Sequence, residues 1–168
     1  PEQAAAYIRK VQSEIETITP RRYCENELVN LLCSSFAEKA QHAGARLDVD
    51  ARLPQALDMS DAELCAVLSN ALENALHAVA ALPEKERTVS LYCAVRLGKL
   101  LIEVKNPYAG ELTLSPDGRP VTARKGHGYG CQSIQTIAAR SGGLCEFKAG
   151  CGTFCLQIVL PLKAAAPV

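Results

Sequence analysis

The sequence lacks three features that would point to a nucleic-acid or membrane partner. Lys and Arg together number 18, as do Asp and Glu, so the net charge is zero. A general binder of nucleic acid or of an acidic membrane would carry a basic excess. No apolar run approaches the ~18 residues of a membrane span, and no charged-then-apolar leader opens the chain. We therefore expect no nucleic-acid partner, no membrane contact by this chain and a cytoplasmic location.

The cysteines lack the spacing of a structural zinc site, because no CxxC pair occurs among the eight. An even number of cysteines suggests disulfides in an exported chain, but no signal peptide supports export here. We interpret them as reduced and mostly buried small apolar residues of a cytosolic protein.

The composition that is present is typical of a globular domain. Hydrophobic residues make up 48% of the 168 positions and charged residues 21%. This length suits one domain, or one domain with a short appendage. The chain begins at Pro1 rather than Met, so we expect it to be a piece of a longer protein.

Periodicity predicts the order helix, helix, strand, helix, hairpin, long loop, helix, hairpin. The helices are predicted at 2–18, 24–42, 60–82 and 129–140. The strands are predicted at 46–53, 88–97, 99–105, 144–148 and 153–160. Residues 107–127 have no periodicity, and a loop of that length in a compact domain is usually functional, often a lid. The order predicts an α+β fold, a two-layer sandwich with helices on one face of a mixed, mainly antiparallel sheet.

The third predicted helix carries the first candidate site. Ser60 and Glu63 form a capping box at its start. Asn70, Asn74 and His77 share one flank, beside an apolar stripe that must face the core. The stripe comprises Leu64, Val67, Leu68, Ala71, Leu72, Ala75 and Val79. A neutral carboxamide oxygen can ligate a hard cation, and an imidazole can donate to a phosphate oxygen. The alternative is a polar helix edge that faces water.

The second candidate is the run Gly126, His127, Gly128, Tyr129 and Gly130, at the end of the long loop and the start of a helix. Glycines allow close backbone approach, and a helix N-terminus offers free amides to an anion. Glycine turns before helices are common, however. No βαβ unit surrounds the run, which excludes a Rossmann site, and no GxxxxGK[ST] motif occurs, which excludes a P-loop.

Asn106, at the end of a predicted strand, is the third candidate. Its carboxamide offers both an acceptor and donors to a purine edge. An ordinary turn at Asn106-Pro107 is the alternative.

Together these elements resemble the N, G1 and G2 boxes of the ATP-binding fold shared by gyrase, Hsp90, histidine kinases and MutL. The chain is most similar to the catalytic domain of peptide-sensing bacterial histidine kinases of the accessory-gene-regulator type, over about residues 24–161. The segment LSNALENALH, residues 68–77, matches the N box most specifically. The resemblance implies that ATP and Mg²⁺ bind here. It implies Asn74 as the magnesium ligand, Asn70 as its support and His77 as a phosphate contact.

The resemblance assigns roles to the other boxes as well. Gly126, Gly128 and Gly130 match the G2 glycines, with His127 and Tyr129 between them. Asn106 takes the place of the G1 aspartate that accepts from the adenine amino group. Tyr108 replaces the first G1 glycine, and Gly110 matches the second. The segment 152–154 resembles the closing motif of the family, which implies that Thr153 lies near the adenine pocket.

The implied reaction is phosphoryl transfer to a histidine outside this chain. Hydrolytic members of the fold place a glutamate base where this chain has Asn70, so transfer is favoured over hydrolysis. Residues 1–20 resemble the second helix of a dimerisation hairpin and contain no histidine. Residues 21–163 would form the catalytic domain and 164–168 a tail. The implied partners are the histidine-bearing helix of the full-length kinase and a response regulator.

Two alternatives share this fold. One is a serine kinase of the anti-sigma-factor type, against which the N-terminal helix argues, because such kinases have no dimerisation hairpin. The other is a degenerate module that joins partners without binding ATP, and the residues at 106 and 108 are its support.

Overall fold

A computed structural model describes residues 4–6, 8–10, 21–121 and 129–163. Residues 4–6 and 8–10 have helical backbone, within the first predicted helix. The rest of that helix, three of the predicted site residues (Gly126, His127 and Gly128) and the tail lie outside the described residues. In the part that the structure describes, no helix is both long enough and apolar enough to span a bilayer.

Residues 21–121 and 129–163 form three helices and five strands. In chain order they are α1 (Glu27–His42), β1 (Arg46–Arg52), α2 (Asp61–Val79), β2 (Thr88–Arg96), β3 (Lys99–Pro107), α3 (Tyr129–Arg140), β4 (Leu144–Gly150) and β5 (Thr153–Pro161). A 3₁₀ turn, Glu84–Glu86, precedes β2. Each element predicted after residue 21 is present in the described residues, with ends that differ from the prediction by up to three residues.

The five strands form one sheet in the order β1-β2-β3-β5-β4. Only the β1–β2 pair is parallel, and the other three pairs are antiparallel. The helices pack on one face, which confirms the predicted two-layer α+β sandwich with a mixed, mainly antiparallel sheet.

The core lies between the sheet and the helices. All seven residues of the predicted α2 stripe are buried, with at most 2% of their surface exposed. Alternate residues of β3 and β5 face them from the sheet: Leu100, Ile102, Val104, Leu156, Ile158 and Leu160. Because successive strand residues point to opposite faces, the residues between these lie on the outer face of the sheet.

Side-chain caps decide where two helices begin. The Ser60 hydroxyl accepts from the Glu63 amide, as the capping box predicts. The Asn26 carboxamide oxygen accepts from the Val29 amide at 3.0 Å, which sets the start of α1 at Glu27. The prediction placed this start three residues too early because it did not use Asn26 as a cap.

All eight cysteines carry free thiols. Cys33, Cys93 and Cys131 are buried, and four others are half-buried. Cys151 is exposed, because it lies in the tight turn between β4 and β5 with a φ of +52°.

Candidate functional site

The site is built where α2 and α3 pack against each other in antiparallel directions. Arg140, in the last turn of α3, pairs with Glu63 in the first turn of α2. At the other end, the Asn74 Nδ2 donates to Cys131 Sγ at 3.4 Å, in the first turn of α3. The N-terminus of α3 therefore lies beside the polar flank of α2.

Asn70 and Asn74 are both half-buried and both meet Gly130. A Cβ built on Gly130 would lie 3.1 Å from Asn70 Oδ1, 3.1 Å from Asn74 Nδ2 and 3.3 Å from Asn74 Oδ1. Because Gly130 has no side chain, the two carboxamides can lie close to the N-terminus of α3. The structure brings these three predicted residues together, although Asn70 and Gly130 are 60 residues apart in sequence.

Local hydrogen bonds orient the two carboxamides differently. The Asn70 Nδ2 donates to the carbonyl of Ala66, one turn earlier in α2, at 2.8 Å. The Asn74 Nδ2 is directed across to α3 instead. In each case the amide nitrogen is engaged, which leaves the amide oxygen as the atom for a ligand.

Two further predicted residues of the N and G2 boxes, His77 and Tyr129, lie on the same two helices. His77 is exposed and lies one turn beyond Asn74 on α2. Tyr129 is the first residue of α3, and its backbone begins that helix.

Asn106 lies inside the ladder of β3, because this strand extends two residues beyond its predicted end. It is only 3% exposed and shares the helix-facing side with Ile102 and Val104. Its Nδ2 donates to the carbonyl of Pro107 at 2.9 Å. Its strand partner on β5 is Phe154.

Thr153 and Phe154 lie on opposite faces of the sheet. Thr153 is exposed, pairs with Pro107 and is on the outer face, away from the Asn106 side chain. Phe154 packs against the core and stacks on Phe147, with ring centroids 6.1 Å apart. We did not select Phe154 from the sequence, but its even spacing from Leu156 and Ile158 could have placed it on this face.

The first part of the predicted lid is ordered by its own turn. The Ser115 amide donates to the Arg119 carbonyl at 2.7 Å, and the Gly118 amide to the Ser115 carbonyl at 2.8 Å. The Ser115 hydroxyl and the Arg119 guanidinium lower the pKa of Asp117. The Gln135 Nε2 donates to the Asp117 carbonyl at 3.4 Å, which joins this turn to α3.

Gly110 and Tyr108 connect β3 to that loop. Gly110 has a φ of +77°, a conformation that favours glycine, and no atom would crowd a Cβ there. The Tyr108 amide donates to the Gly152 carbonyl at 3.1 Å. The predicted G1 segment and the closing segment are therefore neighbours in space.

A magnesium ion fits the donors of this site. Among residues 21–121 and 129–163, no three His, Cys, Asp or Glu side chains cluster in a way that could hold a metal. Carboxamide oxygens are suitable ligands for a hard cation, and Mg²⁺ usually takes few protein ligands beside phosphates and water. Asn74, and Asn70 beside it, could hold such an ion in the room left by Gly130.

Two surface hollows of the described part of the chain lie along α2 and α3, towards the start of α2 and the end of α3. Hollows of about 480 and 570 Å³ adjoin Glu63 and Arg140 and contain none of the predicted site residues. The site is therefore identified by the chemistry of its side chains and not by the size of a cavity.

The fold is that of several solved histidine kinases. The catalytic domain of the histidine kinase ThkA has a TM-score of 0.62 and 15% identity, with 80% of this chain and 91% of that chain covered. For AdeS of Acinetobacter baumannii the TM-score is 0.59 and the identity 11%, with 81% and 64% covered. For full-length ShkA in complex with AMPPNP, the TM-score is 0.63 and the identity 20%, with 89% and 32% covered.

A search of curated protein sequences finds no match. The model of the GHKL domain family matches residues 59–161, which is more than half of the chain and includes α2, α3 and all strands except β1. This match confirms the family predicted from the N, G1 and G2 boxes. The chain belongs to the GHKL domain family, with the fold of histidine-kinase catalytic domains.

Proposed function

We propose that this chain is the ATP-binding catalytic module of a sensor histidine kinase of the peptide-sensing, accessory-gene-regulator-like subgroup. The observation that carries the proposal is the convergence of Asn70 and Asn74 on Gly130 at the N-terminus of α3. Such an arrangement would suit a cation at the Asn74 amide oxygen and a phosphate at the helix amides beside it, which supports the proposal. Full-length ShkA, which has the same fold, was solved in complex with AMPPNP. This supports a nucleotide as the ligand.

The residues of α2 and α3 bind and orient the triphosphate in this proposal. Asn74 Oδ1 would hold Mg²⁺, and Asn70 would support the site from one turn earlier. The first backbone amides of α3 donate to the phosphate oxygens, and exposed His77 contacts the phosphates from α2. When bound there, Mg²⁺ would neutralise charge on the phosphates. Positioning and charge neutralisation are the main catalytic contributions in phosphoryl transfer.

Asn106 and Phe154 define the adenine side. We propose that Asn106 Oδ1 accepts from the adenine amino group, because its Nδ2 is engaged by the Pro107 carbonyl. Phe154, its strand partner, offers an apolar surface on the same face. Since the Thr153 side chain lies on the other face, we assign the contact with adenine to Phe154. We assign Thr153 and Gly110 to the rim of the site.

The phosphoryl group is transferred to a protein histidine and not to water. No carboxylate stands one turn before Asn74, where a base for water would be needed, because Asn70 occupies that position. We propose a histidine-bearing dimerisation helix of the same kinase as acceptor and a response regulator as the next partner. In this scheme residues 1–20 belong to the dimerisation hairpin, 21–163 to the catalytic domain and 164–168 to a tail.

Titration of residues 1–168 with a fluorescent adenine nucleotide, in Mg²⁺ and in EDTA, tests the proposal. We expect saturable binding that Mg²⁺ strengthens and that unlabelled ATP displaces. Incubation with radiolabelled ATP should leave no phosphohistidine on this chain. Absence of saturable binding would favour the degenerate module, and phosphoserine formed on an added anti-sigma-factor antagonist would favour the serine kinase.

A further inference from the structure

Cys131 occupies a position between the core and the proposed magnesium site. It is the third residue of α3, directly after Gly130, and is 6% exposed. Its Sγ accepts the hydrogen bond from Asn74 Nδ2 at 3.4 Å. In the part of the chain that the structure describes, this is the sole side chain that hydrogen-bonds to Asn74.

The orientation of the Asn74 carboxamide decides whether it can bind a cation. The carboxamide presents an oxygen on one side and an NH₂ group on the other, and only the oxygen can ligate a metal. Rotation by 180° would exchange the two groups at similar steric cost. An acceptor that holds Nδ2 on one side therefore fixes Oδ1 on the other.

The thiol of Cys131 suits this task because it lies against the Asn74 NH₂ group and is buried. A neutral sulfur is a weak acceptor that does not compete for the cation as a thiolate would. Asn70 is oriented independently, by its own bond to the Ala66 carbonyl.

We propose that Cys131 is a positioning residue, whose Sγ holds the Asn74 carboxamide with Oδ1 available to Mg²⁺. The inference rests on the proposed function and adds a residue that acts through Asn74 without touching the ligand. Groups that orient metal ligands typically change metal affinity by roughly 10- to 100-fold when removed. Because a neutral thiol is a weak acceptor, we expect the lower part of this range.

The first test compares nucleotide affinity in Mg²⁺ and in EDTA for four variants of the whole chain. Cys131→Ala and Cys131→Val remove the acceptor, and Val keeps apolar volume in case Ala fails to fold. Cys131→Ser retains an acceptor on the same Cβ. Cys33→Ala is the matched control, because Cys33 is a fully buried thiol on α1.

We expect Cys131→Ala and Cys131→Val to lower the ratio of affinities, Mg²⁺ over EDTA, by about tenfold. Cys131→Ser should restore most of that ratio, and Cys33→Ala should keep it whatever its effect on thermal stability. A merely structural role would weaken binding equally in Mg²⁺ and EDTA and would not distinguish Ser from Val.

The second test needs no nucleotide. The side-chain NH₂ signals of Asn74 can be assigned in an asparagine-labelled NMR spectrum by their loss in Asn74→Ala. We expect faster solvent exchange of these protons in Cys131→Val than in wild type or Cys131→Ser, because the bond to sulfur is lost.

The outcomes separate the inference from the proposed function. If wild type binds with a magnesium-dependent affinity and Cys131→Val keeps both the ratio and the amide exchange, the inference alone is overturned. If wild type binds no nucleotide, the proposed function is overturned, and the inference falls with it.

Discussion

Gly130 lies so close to Asn74 that a Cβ on this glycine would be 3.1 Å from Asn74 Nδ2 and 3.3 Å from Asn74 Oδ1. Such distances are tighter than ordinary van der Waals contact, so the two positions constrain each other. The conformation of Gly130 is helical and does not itself require glycine. The requirement for glycine at this position therefore comes from the neighbouring carboxamides of α2.

Replacement of Gly130 by alanine should separate stability from binding. Alanine is the better helix former by about 1 kcal/mol, so the free energy of unfolding should stay the same or rise. The new Cβ should displace the Asn70 and Asn74 carboxamides and weaken magnesium-dependent nucleotide binding about tenfold. Thermal unfolding and nucleotide titration measure the two effects. Gly150→Ala is the control, since no atom lies near its Cβ position.

Asn106→Asp should increase adenine affinity and lower the stability of the free chain. A carboxylate accepts more strongly than an amide, by ~1 kcal/mol or about fivefold in affinity. The substitution also removes the Nδ2 donor that now bonds to the Pro107 carbonyl at 2.9 Å. This loss is costly because residue 106 is only 3% exposed. The gain should be seen with an adenine nucleotide and not with an inosine nucleotide, which has no amino group. An equal gain for both bases would contradict the assignment of Asn106.

Gly143 should be important for stability and not for nucleotide binding. A Cβ at this position would lie 2.3 Å from the backbone carbonyl oxygen of Val159 on β5. Gly143→Ala should therefore destabilise the chain by about 1–3 kcal/mol or more, because backbone must move. Gly150→Ala should change the free energy of unfolding by less than ~0.5 kcal/mol. Equal stability of the two variants in a denaturant titration would show that the α3–β4 connection is looser than described.

Local patterns in the sequence were sufficient to predict the helices that carry the site. The α2 stripe is buried at all seven predicted positions, and α3 has the predicted bounds 129–140. Both depend on 3.6-residue periodicity and on caps within the same segment. The fold class followed because the order of the elements leaves few ways to pack them.

The features that were not predicted depend on contacts between segments. Asn106 is the penultimate residue of β3 and is paired within the ladder, because β5 continues the pairing to Thr153. The partner of Asn74 is Cys131, which lies 57 positions away and looks like an ordinary core residue in the sequence. The opposite faces of Thr153 and Phe154 also became clear only from their strand partners. Periodicity within one element contains no information about such pairs.

The magnesium dependence of nucleotide binding by Asn74→Ala tests the central claim most directly. Glu73→Ala is the matched control, because Glu73 is the exposed neighbour of Asn74 and pairs with Lys39 on α1 at 3.3 Å. We predict that Asn74→Ala loses at least about tenfold of its affinity in Mg²⁺ but almost none in EDTA, while Glu73→Ala keeps the wild-type values. Wild-type affinity of Asn74→Ala in Mg²⁺ would contradict the account.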